Sequence, residues 1–79
     1  MKRPRVTKVI YEIEMPGMAS YVVDYYPETG AAELSRFNYR SGINEYLHKQ
    51  NGFEGTGFDA VAAADFLKAY LEANPSRKI

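Results

Sequence analysis

From Val6 to Glu14, Val9, Tyr11 and Ile13 alternate with Lys8, Glu12 and Glu14. A period of two marks a strand that buries one face. Ile10 and Val6 break the alternation by adding apolar groups to the polar side. Met15-Pro16-Gly17 ends this strand, because Pro-Gly suits the centre of a type II turn. A second strand is predicted over 20–26, where β-branched and aromatic residues concentrate. Tyr21, Val23 and Tyr25 point to one side of it, and Val22, Asp24 and Tyr26 to the other. Both sides therefore carry tyrosine and valine, and a layer that is apolar on both faces needs cover on both. The turn Pro27-Glu28-Thr29-Gly30 follows, with Pro27 presetting φ and Gly30 free to take a positive one. A third strand, roughly 31–39, pairs back. With Tyr26 opposite Ala31, Val23 faces Leu34, Tyr25 faces Ala32, and Asp24 meets Glu33 as a like-charge pair. Phe37 and Tyr39 then share the Val22/Tyr26 side, unless a bulge near Arg36 turns them over.

Ser41-Gly42 breaks the third strand. Ile43, Tyr46 and Leu47 stand at i, i+3 and i+4, which predicts a short helix stopped by Asn51-Gly52. The stretch 53–58 is glycine-rich, with room for a short fourth edge strand. Ala63, Phe66, Leu67, Tyr70 and Leu71 then define one face of a longer helix, with Asp65, Lys68 and Glu72 on the opposite side. Its start is Asp59 as N-cap, or Thr56 and Asp59 as a capping box. Asn74-Pro75 ends it. The expected fold is α+β: a three-stranded antiparallel meander with a short helix and a longer C-terminal helix packed on the sheet. Residues 1–79 read as a single domain, with a basic arm over 1–5 and a tail over 75–79, both expected to fray.

Composition narrows the function classes. A chain of 79 residues buries only about 60% of the surface its unfolded form exposes. The absence of cysteine removes thiol chemistry and Cys-ligated metals, and the single histidine, His48, removes multi-histidine metal sites. No apolar run approaches the ~20 residues of a membrane span. No apolar stretch follows the basic N-terminus, so a secretory leader is not expected and a cytoplasmic location is. Net charge is zero, yet Lys2, Arg3, Arg5 and Lys8 lie together with no acid in the first eleven residues. Such an arm is either a solvated end or a contact for phosphate or an acidic partner.

Candidate chemistry is sparse. His48 is expected on the surface near the end of the short helix, where its partial charge suits the helix dipole. Glu12 and Glu14 point the same way, about 7 Å apart by strand rise, and read as a solvated strand face. The segment Gly52–Asp59 leads into a helix but is neither a phosphate-binding loop nor a dinucleotide fingerprint, and Glu54 and Asp59 oppose an anion. No catalytic set, cofactor or metal is expected. Tyrosine offers a large apolar body and a polar tip, which suits interfaces. The leading expectation is a non-enzymatic module binding another protein, as homodimer, adaptor or inhibitor, through Val22, Tyr25, Tyr26, Arg36, Phe37, Tyr39 and Arg40. The alternative is a single-stranded nucleic-acid binder that stacks bases on the sheet aromatics beside Arg36, Arg40 and the arm. Zero net charge tells against it.

Overall fold

The computed structural model describes residues 4–15, 19–38 and 41–74. Four strands, β1 (Val9–Met15), β2 (Ala19–Tyr26), β3 (Ala31–Asn38) and β4 (Ile43–Gln50), form an antiparallel sheet in chain order, followed by one helix, α1 (Ala60–Ala73). The α+β class and the meander stand. The β2–β3 register is the one the turn implies, with Tyr26 opposite Ala31, Val23 opposite Leu34 and Asp24 opposite Glu33. The turn closes through Gly30, whose N–H donates to the Tyr26 carbonyl at 2.8 Å and whose φ is +71°.

The short helix expected after Gly42 is instead the fourth strand, and that correction has a local cause. β4 pairs regularly with β3 from Ile43 to Tyr46 and again from His48 to Gln50, and Leu47 is an extra residue between the two registers. This bulge moves Leu47 onto the core side, so Ile43, Tyr46 and Leu47 imitate a helical spacing while lying in a strand. Pairing also satisfies the outer backbone groups of β3, which a helix here would leave open. His48, expected on a helix end, lies in β4 and is half-buried, with its ring 5.9 Å from Phe66 and 5.5 Å from Tyr70. The segment 53–58 forms no strand.

The core lies between one sheet face and α1. Tyr21, Val23, Tyr25, Ala32 and Leu34 meet Ala63, Phe66, Leu67 and Leu71, as the helix periodicity predicts. Asp59 caps the helix by accepting from the Ala62 N–H at 2.9 Å. Thr56 does not share in a capping box; its hydroxyl donates to the Phe53 carbonyl at 2.7 Å.

The glycine-rich loop extends the roof. Phe58 stacks on Tyr25 with ring centroids 4.4 Å apart, and Phe53 meets Phe66 edge-on at 5.7 Å. The Tyr25 hydroxyl donates to the Phe53 carbonyl at 3.2 Å, and the Phe53 N–H donates to the Gly30 carbonyl at 3.0 Å. The expected turn at Pro16-Gly17, the stop at Pro75, the arm residues 1–3 and the tail 75–79 lie outside the described residues.

Candidate interaction surface

Strand alternation sends every second side chain away from α1. Ile10, Glu12 and Glu14 of β1 share that outer face with Ser20, Val22, Asp24 and Tyr26 of β2. Glu33, Ser35 and Phe37 of β3 continue it, followed by Asn44, Tyr46 and Lys49 of β4. Among the described residues no element covers this face. Ile10 is 60% exposed and Tyr46 59% exposed, while Val22, Tyr26 and Phe37 are half-buried by their neighbours in the sheet. Apolar and aromatic groups therefore meet water on this face, as Ile43 and Val61 do elsewhere, and here they share it with half-buried Val22, Tyr26 and Phe37.

The face is also acidic. Glu12, Glu14, Asp24 and Glu33 stand on it; Lys49, opposite Glu33 across the β3–β4 pair, and Lys8, just before β1 on the same alternation as Glu12, oppose them. Glu12 and Glu14 are exposed, and Glu12 accepts from the Ser20 hydroxyl at 3.2 Å. Tyr46 titrates above the ordinary tyrosine range, through partial desolvation of its phenol, then the Glu33 carboxylate and then Tyr26. Between the β1 acids and the far half of β3 the face dips into a shallow hollow of about 400 Å³, lined by Glu12, Glu14, Ser20, Val22, Phe37 and Asn44.

The structure sorts the sequence-predicted residues. Val22, Tyr26 and Phe37 stand together on the outer face. Tyr25 and Arg36 do not join them. Tyr25 is 7% exposed beneath Phe58, its ring and hydroxyl both committed to the loop. Arg36 lies opposite Tyr21 on the core side, and its guanidinium donates to Glu45 Oε1 at 2.7 Å. Tyr39 and Arg40 lie outside the described residues, as do Lys2 and Arg3 of the arm. Arg5 pairs with Glu28 at 3.1 Å, both side chains largely in solvent, and Lys8 is exposed.

The sequence reading left Ile10 and Tyr46 out of the candidate surface. Ile10 had a visible signal, since it breaks the alternation of β1 by placing an apolar group among acids. Tyr46 was hidden by the bulge.

Compared with protein-family models, curated proteins and solved structures, the chain matches none. Among the described residues no helix is long and apolar enough to cross a membrane. Nor do three or more histidines or carboxylates gather there as a metal-binding group.

Proposed function

We propose that this chain is a non-enzymatic interaction module that binds another protein through the outer face of its sheet. The observation that carries this reading is the set Ile10, Val22, Tyr26, Phe37 and Tyr46, which shares a face that no described element covers. These side chains surround polar groups that can hydrogen-bond across a contact, the usual make-up of a non-obligate interface. Catalysis ranks last: Glu12 and Glu14 are solvated, and His48 stacks between rings of the core. A nucleic-acid partner is disfavoured on this face, where four carboxylates oppose phosphate and Arg36 points to the other side.

A triple variant, Ile10→Ser with Tyr26→Ser and Tyr46→Ser, tests the reading. Proteins retained from the parent cell by the wild-type chain are expected to be lost by this variant. They are expected to be kept by Lys68→Ser with Glu72→Ser on the exposed side of α1. Retention by the triple variant at the wild-type level would refute the reading, provided its circular dichroism shows a folded domain. In a parallel fluorescence-anisotropy titration at low salt, a labelled single-stranded oligonucleotide is expected not to bind. Binding that disappears with Tyr26→Ser would establish the nucleic-acid alternative instead.

A further inference from the structure

We propose that the partner is a basic protein surface, which seats a lysine or arginine side chain in the hollow between Glu12, Glu14 and Phe37. This inference rests on the protein-binding reading above and specifies its chemistry. The whole chain is neutral, so the acidity of the outer face is local. On the described residues that face carries four carboxylates against two ammoniums, Lys49 and Lys8, and Lys8 stands at the end of β1 away from Glu14.

The hollow, about 400 Å³, combines the two features that a long cationic side chain needs. Val22 and Phe37 supply apolar floor for its methylene stem, and Glu12 and Glu14 supply acceptors for its head. The two acids sit on one strand two residues apart, so both face the same incoming group. Ser20 donates to one Glu12 oxygen. Arginine is enriched at protein interfaces for its combination of planar charge and stacking.

The same charges decide between occupants. A second copy would lay an acidic face on an acidic face, and a like-charge juxtaposition opposes docking. Phosphate is repelled by the same carboxylates.

A random peptide library displayed on phage is panned against the immobilised wild-type chain. Peptides are kept when Ile10→Ser/Tyr26→Ser/Tyr46→Ser abolishes their binding. The retained peptides are expected to be net positive and to carry an arginine or lysine that alanine cannot replace. Their affinity is expected to fall about tenfold with Glu12→Gln/Glu14→Gln, the loss of two charge pairs. The control Glu54→Gln/Glu72→Gln, equal in charge but away from the face, is expected to change it by less than about twofold, because charges beyond a Debye length are screened. Face-dependent peptides that are neutral or acidic, or that ignore Glu12→Gln/Glu14→Gln, would overturn this inference and leave the protein-binding reading standing. A library that yields no face-dependent peptide would overturn both. Sedimentation of the wild-type chain is expected to show a monomer. A dimer abolished by the triple serine variant would assign the face to a second copy instead.

Discussion

At the scale of single residues, Gly30 carries more constraint than the other described glycines. Its φ of +71° is a backbone state that side-chain-bearing residues rarely adopt. A Cβ built there would stand 2.4 Å from the Glu54 backbone nitrogen. The positive φ was visible in the Pro27–Gly30 motif; the approach of Glu54 was not, because it depends on a contact across 24 residues of chain (54 minus 30). Gly30→Ala is therefore expected to cost more than about 2 kcal/mol, from the left-handed penalty plus displacement of the loop. On a domain of this size that lowers the thermal midpoint by about 10 °C or more, read by circular dichroism. A change of a degree or two would show that the 53–54 segment does not press on the turn. Tyr25 shows the same limit of local reading. Alternation placed it on the correct side of β2, but only the fold shows that Phe53 and Phe58 occupy its ring and hydroxyl.

At the scale of elements, legibility followed the range of the forces. The helix α1 was readable throughout, since its apolar face repeats over consecutive turns and its N-cap is a neighbour in sequence. Asp59→Ala is expected to remove the acceptor of the Ala62 N–H and cost about 1 kcal/mol, measurable as a lower urea midpoint with unchanged slope. Asp59→Asn should recover most of it, because the amide oxygen can still accept. Strands β1, β2 and β3 were readable because their alternation is local and the Pro27–Gly30 turn sets the register between two of them. β4 was not. Eight residues with apolar groups at 43, 46 and 47 satisfy a helical template in isolation, although a helix of that length is marginal alone. The open backbone edge of β3 outweighs that tendency, and the extra residue Leu47 produces the misleading spacing.

At the scale of the whole molecule, two layers share one roof. Helix α1 and the Phe53/Phe58 loop cover a single side of the sheet, with Phe66 between them: its ring lies 5.7 Å from Phe53 and 5.9 Å from His48. Phe66→Ala is expected to cost about 3–5 kcal/mol, a large part of the stability available to a domain this small. The variant should be unfolded or nearly so at 37 °C by circular dichroism and amide exchange. A midpoint within a few degrees of wild type would mean that Phe66 is not central to the roof. That both sides of β2 carry valine and tyrosine was legible in that strand alone. The sign of the charge around the outer face was not, because it emerges only when β1 and β3 bring their acids beside Val22.

The surplus residue in β4 also bears on how these molecules behave when crowded. β4 borders the sheet, so its rim presents amide and carbonyl groups to any neighbouring chain. A strand laid along that rim finds its hydrogen-bonding rhythm broken at Leu47, after a few residues from either end. Edge-to-edge growth through β4 is therefore expected to be interrupted at Leu47.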